Sequence, residues 1–273
     1  MTSMDKVDFG DVRWGSVEWT NLCTLYLRAC ESRSPAPILG DDAAAEAVGR
    51  IDYDWARMRR SVRPGFSQYL VAMRAEQLDD WSVDFLSRHP DAVVVHLGCG
   101  MDTRAFRVHP PATVQWFDVD QPNVIGLRRR LYDDRAGYRT IGASVTDEAW
   151  LDDIPTDRPI LMVAEGLLMY LTEPEVRALL QRLTDRFGSG ELVFDTLSAM
   201  GPRLSKMFTK GIVKWGIRDA HEMERWNPRL RLLARGPVGA RFERIPSKQV
   251  RLLWRLVNAT PVRNYDVLNR FAF

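Results

Sequence analysis

The sequence predicts an α/β protein built on a mainly parallel, doubly wound sheet. Three observations carry that expectation. Ala92-Val-Val-Val-His-Leu97 is a short β-branched run, suited to a strand covered on both faces. It leads into Gly98-Cys-Gly100, where two missing Cβ atoms let the chain turn sharply and let backbone approach a ligand closely. Strand-like and helix-like segments then alternate, as they do in parallel sheets with crossover helices.

The elements follow in order. Val17–Glu31 carries Leu22, Leu25, Tyr26 and Ala29 at helical spacing. Ser34-Pro-Ala-Pro37 breaks the pattern. Helices are expected at Asp42–Arg50, Tyr53–Arg60 and Ser67–Arg88, the last with an apolar stripe of Leu70, Met73, Leu78, Trp81 and Phe85. Strands are expected at Ala92–Leu97, Val114–Phe117, Tyr138–Ile141, Pro159–Ala164 and Glu191–Asp195. Helices between them fall at Gln121–Tyr132, Asp147–Leu151 and Glu173–Phe187. Thr172-Glu-Pro-Glu175 is a helix start, with Thr172 as N-cap and acids in the first turn, and Gly188-Ser-Gly190 is the matching stop. Met200–Lys214 and Ala220–Arg225 read as helices that interrupt the alternation. Leu230–Ala234 reads as a sixth strand, Lys248–Asn258 as a helix and Tyr265–Phe273 as a final strand. The N-terminal helices and the insertion after the fifth strand would cover the C-terminal strand ends, where such folds bind ligands.

The spacing of acids narrows the ligand. The second strand ends in Asp118 and Asp120, about twenty residues after the glycine turn, where α/β nucleotide folds grip a ribose. An adenosine-containing cofactor is therefore expected. A dinucleotide fingerprint needs a third glycine, but Thr103 stands at that position and Asp102 precedes it. A carboxylate there would repel a pyrophosphate, which disfavours a nicotinamide oxidoreductase. It suits the cationic sulfonium and amino group of S-adenosylmethionine. A Gly-x-Gly turn taken alone is also just a tight turn.

Composition excludes several classes. The 273 residues are 45% hydrophobic and 27% charged, ordinary for a globular protein. A net charge of +2 gives no reason to expect a nucleic-acid partner. Cys23, Cys30 and Cys99 form no disulfide framework, and neither they nor the four histidines show metal-ligand spacing, so no metal is expected. Met1–Phe9 lacks an apolar signal core and Ile160–Ala164 is too short to span a bilayer, so a cytoplasmic protein without membrane contacts is expected, as monomer or homodimer.

Three motifs are more specific than the glycine turn: Leu97-Gly-Cys-Gly-Met-Asp-Thr-Arg104, Trp116-Phe-Asp-Val-Asp-Gln-Pro122 and Ala164-Glu-Gly-Leu-Leu-Met-Tyr-Leu171. With Leu27-Arg-Ala-Cys-Glu31, Ile51-Asp-Tyr-Asp54, Met73-Arg-Ala-Glu-Gln-Leu-Asp79 and Lys214-Trp-Gly-Ile217, they run over almost the whole chain. At these residues the chain resembles the leucine carboxyl methyltransferase family, in the bacterial branch that includes tetracenomycin-type polyketide O-methyltransferases. The resemblance implies a seven-stranded Rossmann-like methyltransferase sheet with a helical lid, and S-adenosyl-L-methionine as cofactor. It implies one domain over 1–273: a helical N-terminal lid region (1–90), a cofactor-binding core (91–197), a lid insertion (198–228), and C-terminal strands with a helix (229–273). Position by position, Arg74 matches the lid arginine on the methionine carboxylate, Gly98 the glycine against the cofactor, Asp120 the acid on the ribose hydroxyls, and Glu165 the acid near the amino group. Gly100 completes the turn. The stretch Gly142-Ala-Ser-Val145 falls at the adenine, where the family places an acid and a leucine, so Ser144 and Val145 stand there, with Asp147 as a second candidate.

Each residue also has a plain reading. Asp120 could be a solvated turn acid ahead of Pro122, although its spacing from Gly100 favours the ribose. Glu165 interrupts an apolar strand end, where an unpaired acid would be costly. Tyr170, Asp195 and His221 adjoin the expected cleft and are the catalytic candidates, though core or surface placement is the better reading of each. Arg57, Arg59, Arg60 and Arg63 could face an acidic substrate or simply solvent. Trp14, Trp19, Trp215 and Trp226 could line a pocket or fill the core. The expected activity is methyl transfer to oxygen of a small molecule, a carboxylate or a phenol, with the resemblance pointing to a polyketide-like secondary metabolite. A carboxylate is already ionised near neutral pH, whereas a phenol, with a pKa of about 10, would gain from a base. The alternative is a protein of the same fold that binds the cofactor without methyl transfer, as a regulator or in non-transfer chemistry such as cyclisation.

Overall fold

The computed structural model describes residues 6–208 and 211–273. A two-residue strand β1 (Val7–Asp8) precedes α1 (Val17–Ser32), α2 (Asp42–Arg50), a second short strand β2 (Ile51–Asp52), α3 (Trp55–Val62) and α4 (Pro64–Arg88). Then come β3 (Val93–Leu97), the single turn α5 (Arg104–Arg107), β4 (Gln115–Asp120), α6 (Pro122–Arg128), β5 (Tyr138–Gly142), β6 (Ile160–Ala164), α7 (Glu173–Arg186) and β7 (Gly190–Leu197). The chain ends with α8 (Gly201–Phe208), α9 (His221–Trp226), β8 (Arg231–Pro237), α10 (Lys248–Asn258) and β9 (Asp266–Ala272).

The expected seven-stranded sheet is present, in the order β5-β4-β3-β6-β7-β9-β8. Its first five strands are parallel, and β9 pairs antiparallel with both β7 and β8. Period-two alternation explains the double cover. Val93, Val95 and Leu97 turn to one face, where Leu179, Leu180 and Leu183 of α7 cover them. Val94 turns to the other face, with Leu161, Val163 and Val193, under Leu78, Phe85 and Leu86 of α4. Each such buried side chain contributes about 1.5–3 kcal/mol over leaving it exposed. Trp14 and Trp19 pack in the N-terminal cluster, and Trp215 and Trp226 pack in or against the main core.

Local chemistry sets most helix ends. Ser16 accepts from the Trp19 N–H to start α1, and Glu175 accepts from the Thr172 N–H at the start of α7. Pro64 opens α4 three residues earlier than expected, since proline costs nothing in a first turn. Three expectations change. The helix expected over Met200–Lys214 is described over Gly201–Phe208; residues 209–210 lie outside the described residues, residues 211–214 are not helical, and the Gly211 N–H donates back to Ser205 O. Lys214 N–H donates to Met169 O, and Ile217 N–H to Leu197 O. The helix expected at Asp147–Leu151 is a 3-10 turn at Ala149–Asp153. The parallel pairing of β1 with β2, which ties the N-terminus to the start of α3, was not expected at all.

Beneath the sheet edge lies a buried polar knot. Asp118 of β4 is fully buried and meets Arg128 of α6, the Tyr138 hydroxyl at 2.7 Å and the Trp116 indole N–H at 2.9 Å. Arg128 also donates to Gly100 O at 3.0 Å, which ties α6 to the glycine turn. Burial raises the Asp118 carboxyl, and the Arg128 guanidinium more than reverses this, holding it below the usual range. Removing one member of such a pair leaves an uncompensated buried charge. Arg128→Met is therefore expected to cost about 3–5 kcal/mol of unfolding free energy in chemical denaturation, against less than about 1 kcal/mol for Arg130→Met at the surface.

Candidate functional site

The C-terminal ends of β3 and β4 lie side by side, with Leu97 opposite Val119. Gly98 and Gly100 follow β3 with φ of +63° and +50°, the left-handed region in which a side chain is strained. A Cβ on Gly98 would sit 2.9 Å from Leu167, and one on Gly100 would sit 2.8 Å from Asn21 Oδ1. Asp120, at the end of β4, accepts the Gly100 N–H and the Gln121 N–H, each at 2.7 Å. Burial pushes its carboxyl up, and those two backbone bonds oppose the rise. Each oxygen keeps a lone pair for a hydroxyl.

These groups line a cavity of about 150 Å³. Helix α1 closes it from above. Val17, Thr20, Asn21, Thr24 and Arg28 all face the cavity, at the three- and four-residue steps of one helix face. The Asn21 side-chain N–H2 is buried and has no hydrogen-bond partner. Glu165, Gly166, Met169 and Tyr170, from the turn after β6, form another wall.

The deepest part is ionic. Glu165 is held by three guanidiniums: Arg28 at 2.8 Å, Arg74 at 3.1 Å and Arg104 at 2.7 Å. Asp102 meets Arg28 at 3.0 Å and also binds Arg107. Arg107 and Arg104 both reach Asp79, and Arg107 reaches Asp41. Arg74 also approaches Asp195 at 3.4 Å and Asp266 at 3.9 Å. Four guanidiniums thus meet six carboxyl groups, and on the cavity lining itself Asp102, Asp120 and Glu165 outnumber Arg28 and Arg74. Burial alone would raise Glu165 and Asp102, but the arginines around each outweigh it and hold both carboxyls well below the usual range.

The sequence-derived candidates fall into three groups. Arg74, Gly98, Gly100, Asp120, Glu165 and Tyr170 are brought together at the cavity. Asp195 lies just behind it, fully buried, accepting the Gly166 N–H at 2.5 Å and facing Arg74. Ser144, Val145 and His221 are not brought to the lining. Ser144 bonds the Thr146 hydroxyl, Val145 packs in the main core, and His221 is an exposed residue of α9 paired with Glu224. Arg57, Arg59, Arg60 and Arg63 are exposed, with Arg57 stacked over Trp14. Sequence reasoning gave no role to Asn21, Arg28, Arg104 or Asp266. For Asn21 and Arg28 the available signal was the polar stripe along α1, while Arg28 and Arg104 also fall within the quoted motifs. Among the described residues no group of three or more His, Cys, Asp or Glu could hold a metal, and no helix is long and apolar enough to cross a membrane.

The profile described as leucine carboxyl methyltransferase matches residues 21–184. The chain belongs to the leucine carboxyl methyltransferase family. It is thus an S-adenosylmethionine-dependent methyltransferase. A relative, the tetracenomycin polyketide synthesis O-methyltransferase TcmP of Streptomyces glaucescens, is 45% identical over 225 residues, 81% of this chain and 82% of that protein. The S-adenosyl-L-methionine-dependent methyltransferase dpfgK of Gibberella zeae is 37% identical over 253 residues, 84% of this chain and 85% of its own. The crystal structure of a candidate methyltransferase from Thermobifida fusca shares the fold, with a TM-score of 0.57 at 19% identity over 90% of this chain and 93% of that one.

The residues present fit that cofactor. In this methyltransferase the acid excess suits a ligand with sulfonium and ammonium charges, Asp120 keeps acceptor capacity, and the buried Asn21 amide lacks a partner beside Gly100. The ionic cluster also sets an acid limit. Carboxyls held low in the folded state contribute stability that is present above their unfolded values, about 3.9–4.3, and is lost as pH falls below them. The urea midpoint is expected to fall steeply from about pH 5 to pH 3, with a shallower slope in Glu165→Gln, whose midpoint at pH 7 is already lower. Equal slopes in the two proteins would remove Glu165 from the acid response.

Proposed function

We propose that this family member is an O-methyltransferase acting on a carboxylate or phenolic oxygen of a small, polyketide-like molecule. The cradle of Gly98, Gly100 and Asp120 facing Arg74 across one cavity carries the cofactor half of that reading. The high identity to a polyketide O-methyltransferase over four fifths of both chains supports the acceptor half. The net charge of +2 and the acid-rich cavity favour a small-molecule acceptor over a nucleic acid.

When bound, S-adenosylmethionine supplies a methyl group already activated on a sulfonium. The chain's own work is to hold, align and keep water out. Asp120 accepts the two ribose hydroxyls while its backbone bonds keep it in place. Arg74 holds the methionine carboxylate, steadied from behind by Glu165 and Asp195. Gly98 and Gly100 let backbone lie against the ligand, and Asn21 of α1 offers its free amide N–H2 from above. Tyr170, half in the cavity and 39% exposed, stands where an acceptor would enter. A carboxylate acceptor needs nothing beyond this positioning. For a phenol, Tyr170 is the titratable group at the entrance, whereas Asp195 is buried behind the cavity and the placement of His221 gives it no part.

Two measurements test the reading. Asp120→Ala is expected to lose about ten- to a hundredfold in calorimetric affinity for S-adenosylhomocysteine, the worth of one or two hydrogen bonds to a charged acceptor. Unchanged affinity would remove the ribose assignment. Methyl-labelled cofactor should then label an aromatic carboxylic acid or a phenol. A base-labile product marks a methyl ester and a base-stable one an ether, while cofactor binding with no labelled acceptor of either kind would overturn the oxygen-transfer reading.

A further inference from the structure

Asp266 stands out among the buried acids because it is so poorly satisfied. It opens β9, opposite Leu197 of β7, which makes it the diagonal neighbour of Asp195 on the same sheet face. Helix α4 lays Arg74 across that face. Asp195 is well provided for, with the Gly166 N–H on one oxygen and Arg74 Nη1 on the other. Asp266 has no such support. Its Oδ1 is buried without a partner, and its Oδ2 lies 3.9 Å from the same Arg74 Nη1, beyond hydrogen-bond distance.

We propose that Asp266 is a positioning residue for the cofactor clamp: sharing Nη1 of Arg74 with Asp195, its charge decides how firmly that guanidinium is held by the protein rather than by a bound carboxylate. The inference rests on the assignment of Arg74 to the cofactor carboxylate. Every charged or titratable group facing Asp266 belongs to the same constellation: Arg74 from α4, Asp195 from β7, Glu165 from the turn after β6, and Tyr265 beside it. Only one of these is a cation, and Glu165 and Asp195 already compete for it. A third anion there is costly, and a neutral carboxyl costs much less. Burial, then the Asp195 charge, push the Asp266 carboxyl up to about 8.

The sign follows from linkage. Bringing a ligand carboxylate to Arg74 draws the guanidinium away from Asp266 and adds a negative charge nearby. Both favour the protonated carboxyl, so binding takes up a proton when Asp266 starts ionised. Affinity is then full below about pH 8 and falls as pH rises above it, by at most about tenfold per pH unit.

The test is calorimetric titration with S-adenosylhomocysteine at pH 7, 8 and 9, in buffers of different ionisation enthalpy. Wild type should take up a fraction of a proton near pH 8 and lose affinity severalfold by pH 9. Asp266→Asn should bind at least as tightly and show a smaller slope and less uptake. Comparing the two proteins removes the contribution of the ligand's own amino group. 5′-Methylthioadenosine, which lacks the amino-acid tail, should bind both proteins with no pH dependence through this range. Identical slopes and proton uptake in the two proteins would overturn the proposal, as would the same pH dependence with methylthioadenosine. If Asp266→Asn does not fold, wild type alone decides: absence of proton uptake at pH 8 overturns it. Arg74→Ala separates the underlying assignment. If it binds S-adenosylhomocysteine normally, the clamp itself is wrong, whereas loss of binding there with equal slopes in wild type and Asp266→Asn refutes only the role of Asp266.

Discussion

The site depends on Glu165 and the three guanidiniums that converge on it. Arg28 comes from α1, Arg74 from α4 and Arg104 from the turn after the glycine loop, while Glu165 itself directly follows β6. One carboxylate therefore joins α1 and α4 to the strand ends at the cavity. In a buried setting the net gain from such pairs is small, because desolvation cancels most of the attraction. Loss of one partner is another matter, since the remaining charges stay buried.

The placement of α1 and α4 decides the shape of the cavity. The alternating β-branched strands define a sheet covered on both faces, and the parallel register brings the ends of β3, β4 and β6 to one edge. At that edge the glycine turn and Asp120 form a floor, and the polar face of α1 forms a roof. The Asp118–Arg128 pair supports the floor from below, because Arg128 also holds Gly100 O. Two buried ion systems, bridged by His96 between Asp118 and Arg104, thus flank the same loop.

The charge balance also fits methyl-transfer chemistry. A pocket with more carboxylates than guanidiniums favours a cationic ligand, and it keeps Arg74 engaged from behind rather than freely mobile. Tyr170 and Met169 are held in their turn partly because Lys214 N–H bonds Met169 O, so the segment after α8 braces the entrance wall. The Tyr170 wall and the glycine floor are therefore held by different parts of the chain.

The sequence by itself determined the sheet, the glycine turn and the acid at the end of β4. These are local facts: β-branched alternation, two glycines whose positive φ excludes side chains, and an acid at a fixed distance along the chain. Arg74 was legible only through resemblance to a family, since nothing in its immediate surroundings marks it among so many arginines. What only the tertiary structure decided is which charges meet. Arg28 lies 137 residues from Glu165 along the chain, and Arg74 lies 121 from Asp195. No pattern in a neighbourhood of sequence records such a pairing. For the same reason Ser144 and Val145, well placed in sequence, end up bonded to Thr146 and packed in the core. That residues 211–214 are not helical was equally invisible, because the Lys214 N–H finds its partner in Met169, in a turn far away in the chain. Local propensity sets an element's type; where it ends and what its side chains meet are set by the partners that folding brings to it.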